Sequence, residues 1–403
     1  MRTVERIGWY KNAFVLPDET IGPTNGEMVR LQSAREQQHC YGTAGSLDDW
    51  QRNVAFYCQG NSLLAFAVSC AFAAPLLPFT EDQGGGFHLI ADTTVGKSTI
   101  LMAAGSVWGG GPQNGFLQSW LTAANGLENT AEWHNHCLLC LDELKLIEPE
   151  EAGKAAYSLS NGQRKVRQNR EGYAQRKAEW QLLFLSNGEL SLETHLEGIG
   201  RRFYGGQAVR FCEIPACMHE KYGAFEKLHC FGSAKDLADH LKHHTRERCY
   251  GTAGRAFLRK LTEHDHDVIV ATVKKSVSEF MRRYVPEGLS AEVTRAADRF
   301  ALVSAAGDLA TQLGVTGWKK GKLPVLSPYA LTPGTATEER TVTGTNEVSS
   351  PLCGPRCSRM AAAVSNIMRR PRNRMRTSPT TSLPYTTVWA SKRETLIAEP
   401  NIC

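Results

Sequence analysis

A chain of 403 residues with 42% apolar and 22% charged residues is ordinary globular material, long enough for a sizeable core and two or three domains. Its net charge of +5 is unevenly placed: residues 319–403 hold 13 Lys and Arg against 5 acids, which leaves residues 1–318 near −3. A generally basic nucleic-acid binder is therefore excluded, and any DNA contact in the body must be a local patch. Twelve cysteines lie scattered without a disulfide framework or a signal peptide. They read as reduced thiols in a cytoplasmic protein.

In residues 1–45 a partial β unit is expected. RIGWY and AFVLP flank Lys11-Asn12, a hairpin turn, and Asn25-Gly26 marks another. So small a unit has too little core to stand alone. An apolar strand begins almost directly after Met1, so an upstream portion is expected to be missing. Residues 46–82 read as helical. Ser46-x-x-Asp49 resembles a capping box opening a helix around Trp50 to Tyr57, and Ser62 is placed to cap the next. That second helix, in LLAFAVSCAFAAPLLPF (63–79), is short for a membrane span and interrupted by Pro75 and Pro78. A buried helix ending before Pro75 is expected, and no membrane partner.

Residues 83–217 carry the chemistry. In FHLIADTTVGKST (87–99) an apolar strand runs into a polar loop, Gly96-Lys97-Ser98-Thr99, and a small-residue helix. This is the layout of a P-loop, in which backbone N–H groups and a helix N-terminus converge on phosphate. Thr94, Val95, Gly96, Lys97, Ser98 and Thr99 are the nucleotide-binding candidates. Lys97 would reach the β- and γ-phosphates, and Ser98 would ligate Mg²⁺. Ala91 replaces the usual first glycine, and Asp92 opposes phosphate unless it points away. A plain strand–helix turn with a surface lysine is the bland alternative.

A strand at 116–121 and a helix at 122–136 are expected next. Then CLLCLDE (137–143) ends an apolar strand in two carboxylates. Parallel neighbours in a doubly wound sheet bring such a strand end to the ligand. Asp142 would hold the Mg²⁺ shell and Glu143 would polarise the attacking water, as in a Walker B pair, against ordinary surface acids. Cys137-x-x-Cys140 within this run reads as buried thiols rather than a metal or redox site. Arg164, Lys165, Arg167 and Arg170 form the body's densest basic patch, a nucleic-acid contact or a solvated face. WQLLFL (180–185) is a further strand delivering Ser186 and Asn187, and VRFCEIP (209–215) makes one more.

From 218 to 318 the pattern is helical, and its histidines lack acidic or cysteine partners at ligand spacing. Beyond Trp318 periodicity ends, and residues 319–403 are expected to be disordered.

Taken in order, ADTTVGKST, GSVWG, SWLTAANGLE, LLCLDE, LSNGQRKVR, LFLSNGE and GGQAVRFCEIP resemble the bacterial and phage P-loop family labelled domain of unknown function 927. That family is found near or fused to primase modules on mobile elements and prophages, and is similar to superfamily 3 helicases and AAA+ ATPases. The resemblance covers roughly residues 4–318. It implies a sheet ordered 5-1-4-3-2, a homo-oligomeric ring, a possible primase partner, and a basic element facing DNA in the pore. By position it makes Asn187 the sensor, and Arg201, Arg202 or Arg210 the finger reaching a neighbour's nucleotide. The tail does not resemble the family's continuation, so a chain truncated at both ends is expected.

The fold class expected is therefore α/β, a P-loop NTPase parallel sheet with a small N-terminal β unit and a helical C-terminal part. The expected activity is ATP hydrolysis with Mg²⁺, acting helicase-like on DNA, single-stranded by preference. The rivals are a weak or defective nucleotide-gated DNA-binding remnant and a small-molecule kinase, the latter lacking an acceptor motif.

Overall fold

The computed structural model describes residues 1–32, 40–80, 82, 84–111, 115–122, 124–163, 178–200 and 209–319. Near the N-terminus β1 (Arg2–Val4) pairs in parallel with β5 (Val29–Leu31), and β2 (Gly8–Tyr10), β3 (Ala13–Val15) and β4 (Thr20–Ile21) form an antiparallel meander. The Lys11-Asn12 hairpin and the Asn25-Gly26 turn are where the sequence puts them. Lys11, Asn25 and Gly26 all take positive φ, as tight turns require. The β1–β5 pairing joins segments distant in sequence, so no local signal announces it. The unit does not stand alone. Phe14 is buried in the main core, stacked on Trp108 with centroids 6.1 Å apart.

The Ser46–Asp49 capping box is present and opens α1 (Leu47–Trp50), which continues through a π-helical turn (Gln51–Ala55) into α2 (Phe56–Cys58). All twelve residues of α3 (Ser62–Ala73) are buried, and the two prolines divert the chain into a 3₁₀ turn (Ala74–Phe79). A helix polar on no face must be surrounded, and this one is surrounded by protein. Ser62 does not cap it. The N-cap is Asn61, whose side chain instead accepts from the backbones of Glu226 and Lys227, while the Glu226 carboxylate takes the Ser62 N–H. A partner 164 residues away thus supplies the cap.

The central sheet contains β6 (Gly85–Ile90), β7 (Gln118–Ser119), β8 (Leu138–Asp142), β9 (Leu183–Gly188) and β10 (Phe211–Pro215), all parallel and ordered β10-β6-β9-β8-β7. Counting from the P-loop strand, this is the 5-1-4-3-2 order. Alternate residues divide the core. Phe87, Leu89, Cys140 and Leu185 join the cluster around α3 and α4 (Lys97–Gly105). Leu139, Leu141 and Phe184 pack in a second cluster with residues of α5 (Ala124–Glu132), α6 (Pro149–Asn161) and α7 (Leu192–Glu197). The expected strand at 116–121 shrinks to two paired residues, because it is the sheet edge.

The C-terminal part is helical from α8 (Ala234–His243), through α9 (Thr252–Thr262) and α10 (His266–Tyr284), to α11 (Ala291–Gln312). Helix therefore starts later than position 218. Residues 217–225 instead form a turn pinned by the Gly223 N–H to the His219 carbonyl. The buried Arg255 on α9 binds Asp18 and Glu19, each at 2.6 Å, tying the β unit to the helices. Eight of the described cysteines are free, six of them buried. The tail from 320 onward lies outside the described residues.

Candidate nucleotide site

The register explains the site. Leu89 pairs with Asn187, Leu141 with Ser186, and Ser119 with Asp142, so β6, β8 and β9 end side by side. The P-loop leaves β6 there. Gly96 is the N-cap of α4 at φ +107°, a conformation suited to glycine, and no side chain caps the first turn. The helix start is thus open to an anion. Lys97 is only 7% exposed, and its Nζ donates to the carbonyls of Ala91 at 2.6 Å and Asp92 at 2.7 Å. The Asp92 residue is exposed. Ala91 has no positive φ, whereas Thr94 does, at 63°. Alanine therefore fits its place in the loop without strain.

Ser98, Asp142 and Asn187 meet in one hydrogen-bonded triangle. The Ser98 hydroxyl donates to Asp142 Oδ1 at 2.9 Å, and Asn187 Nδ2 donates to the same oxygen at 2.7 Å. Asn187 Nδ2 also lies 3.3 Å from Ser98 Oγ, and its Oδ1 accepts the Glu143 N–H at 2.7 Å. Glu143 holds φ at 62°, rare for a side chain of its size, which is the kind of backbone strain that collects at functional sites. Burial, then the neighbouring charge of Glu189, push its carboxyl above the usual carboxylate range. Hydroxyl and carboxylate oxygens converging in this way are a donor set suited to Mg²⁺.

Three features were not legible in the residue pattern. Behind the triangle, the Trp120 indole donates to Ser186 Oγ at 2.8 Å. The indole cannot accept, so Ser186 donates onward to His88 Nδ1 at 3.0 Å, and His88 Nε2 donates to the Leu190 carbonyl at 3.0 Å. Burial holds His88 down to about 4, so it stays neutral. The chain fixes β6 to β9 one residue before Asn187. Secondly, the 217–225 turn braces the loop: the Ala224 N–H bonds the Val95 carbonyl, and a Cβ on Gly223 would lie 2.7 Å from that oxygen. Thirdly, Glu189, paired with Lys145 at 3.7 Å, is a carboxylate beside Glu143.

Arg210 does not gather here: it enters β10 at the opposite end of the sheet, with its guanidinium 5.7 Å over the Tyr157 ring. Arg164, Lys165, Arg167 and Arg170, and also Arg201 and Arg202, lie outside the described residues. The flanks of the basic run, Gln163 and Glu179, form an antiparallel bridge. Cys137 and Cys140 are buried and their thiols are pushed up by that burial. His240 contacts the Asn53 carbonyl at 3.2 Å, and His266 packs edge-on against Phe79. No cluster of three or more His, Cys, Asp or Glu able to hold a metal occurs among the described residues.

No curated protein matches the chain. A solved structure titled "SCCmec type IV Cch - active helicase" is similar in fold, with TM-score 0.62 and 19% identity over 80% of this chain. The chain spans 58% of that structure's length. Residues 1–180 match the family described as "Domain of unknown function (DUF927)", which includes both the Gly-Lys-Ser loop and the Asp142-Glu143 strand. Over those residues the chain is similar to the DUF927 family, and its α/β fold is similar to that of the solved structure.

Proposed function

We propose that the protein is a Mg²⁺-dependent ATPase that acts on DNA, helicase-like, in the replication of mobile elements. The observation that carries this reading is the Ser98–Asp142–Asn187 triangle beside Lys97 and an uncapped helix start. In it, Lys97 and the loop N–H groups of 94–99 bind the β- and γ-phosphates. Ser98 and Asp142 would hold Mg²⁺, which would neutralise charge on the phosphate oxygens. Glu143 takes the proton of the water that attacks the γ-phosphorus as its bond to the bridging oxygen breaks, and Asn187 fixes Glu143 through its backbone. A homo-oligomeric ring, a finger from Arg201, Arg202 or Arg210, a primase partner and a cytoplasmic setting belong to the same proposal. So does the division into a β unit (1–45), a helical segment (46–82), an ATPase core (83–217), a helical region (218–318) and a tail (319–403).

The water-activating carboxylate must be ionised. Hydrolysis is therefore expected to fall as pH drops through the raised pKa of Glu143, and Glu189→Gln should move that acid limb to lower pH. A pH–rate profile that Glu189→Gln leaves in place would remove Glu143 from this role.

For the DNA contact, replacing Lys165, Arg167 and Arg170 together should flatten the salt slope of log K for a single strand by roughly 2 units, at about 0.7 per phosphate contact. An unchanged slope assigns the patch to a solvated face. A second reading, a nucleotide-gated DNA binder with weak turnover, is favoured by the Lys97 ammonium being already held by two carbonyls. ATP binding with DNA-insensitive, near-zero hydrolysis would select it.

A further inference from the structure

At the amino-terminal end of the sheet a cleft of about 710 Å³ opens between α10, α11 and the segments entering β6 and β10. The P-loop is at the far end of β6, about 20 Å away for a strand of that length. One wall is apolar, built from Val209, Val273, Val277 and Leu302. Two cations line the cleft from two elements, Lys274 on α10 and Arg295 on α11; Arg210 at the entry to β10 borders it, with its guanidinium over the Tyr157 ring. Lys274 and Arg295 are exposed and make no ion pair among the described residues; Arg295 Nε donates to the Ala291 carbonyl at 3.3 Å. The buried Arg299 and Asp82 also line the cleft. Arg299 Nε lies 3.3 Å from Asp82 Oδ2 at an angle that makes no hydrogen bond, so both atoms are buried without a hydrogen-bond partner. Buried polar atoms seldom go without one, and a bound group that can both donate and accept would satisfy them. Asp298 supplies an opposing carboxylate.

We propose that this cleft is a second nucleotide site, which takes a phosphate group on Lys274 and Arg295 and lays the attached base and sugar along the valine–leucine wall. Cations arriving from separate directions match a tetrahedral phosphate, whose oxygens accept from several sides, better than a planar carboxylate. The volume falls in the range of small-molecule sites and leaves room for more than a bare anion. The phosphate is carried either by a free mononucleotide or by one unit of a single strand.

The test uses the full chain carrying Lys97→Ala, which removes the P-loop lysine, in buffer with EDTA. Thymidine monophosphate is titrated calorimetrically and a fluorescent oligo(dT) by anisotropy. At least one probe is expected to bind, and Lys274→Ala with Arg295→Ala to weaken it at least tenfold. Asp298→Asn should tighten it, and Lys154→Ala, whose ammonium pairs with Glu150 and Glu151 on α6, should leave it unchanged. Binding of the monophosphate assigns a free nucleotide; binding of oligo(dT) alone assigns a strand. Lys154, Lys274 and Arg295 are exposed and Asp298 is half-buried, so a melting temperature matched to that of the Lys97→Ala chain verifies the fold. Failure of both probes to bind, an unchanged affinity in the double variant, or weaker binding by Asp298→Asn each overturns the proposal.

Discussion

Lys97→Ala is expected to lose ATP binding, whereas Glu143→Gln is expected to keep binding and lose hydrolysis. The two residues act on different partners. On the proposed reading Lys97, an almost fully buried cation beside a helix start with no side-chain cap, is the side-chain charge that meets phosphate, and its removal takes that charge away. Loss of a preorganised donor of this kind typically lowers turnover by roughly 10²–10³-fold. On the proposed reading Glu143 contributes only as water attacks the γ-phosphorus, and deletion of a general base costs about 10²–10⁴-fold. The amide of glutamine keeps the size of the carboxylate, and the Glu143 N–H to Asn187 bond is a backbone contact, so the site geometry should persist. Nucleotide binding by fluorescence and phosphate release at saturating ATP separate the two effects. Parent-like hydrolysis by Glu143→Gln would show that another group activates the water.

Arg299→Ala should be the most damaging single change to stability described in this chain, by about 3–5 kcal/mol. The guanidinium is 4% exposed and Asp82 is 16% exposed, so its loss strands a carboxylate with little access to water. It also removes the donors to the carbonyls of Val209 at 2.9 Å and Gly84 at 2.8 Å, the segments that lead into β10 and β6. Urea unfolding of the parent and the variant measures the difference. A loss under about 1 kcal/mol would mean that the pair behaves as an exposed one.

The elements that position the site were largely legible, because each is a short apolar run ending in a polar signal. Leu138 to Leu141 followed by two carboxylates is β8 almost to the residue. The strand expected at 180–185 is shifted to Leu183–Gly188, because residues 178–182 lead into the sheet and Trp180 is diverted, its indole bonding the Leu159 carbonyl. The contacts that make the triangle a site were less legible. His88 sits in an apolar strand and Trp120 in an apolar edge run, and the bonds joining them through Ser186 depend on register between strands far apart in sequence. The same holds for Glu226 capping α3 and for the 217–225 brace on the loop. Local pattern shows what a segment is; only the fold shows which segment it meets.

The pairing of Leu89 with Asn187 makes the sheet work like a vernier. Successive residues of β9 face opposite sides, so inserting or deleting one residue ahead of Asn187 would rotate its amide away from Ser98 and Asp142 and present a neighbour instead. A two-residue change would restore the face but displace the amide by about 7 Å, beyond hydrogen-bond reach. A two-residue length change in β9 should therefore keep the hydrophobic pattern and still destroy the triangle. A homologue with the same motifs but one residue more or fewer between Leu183 and Asn187 would have to carry a compensating bulge.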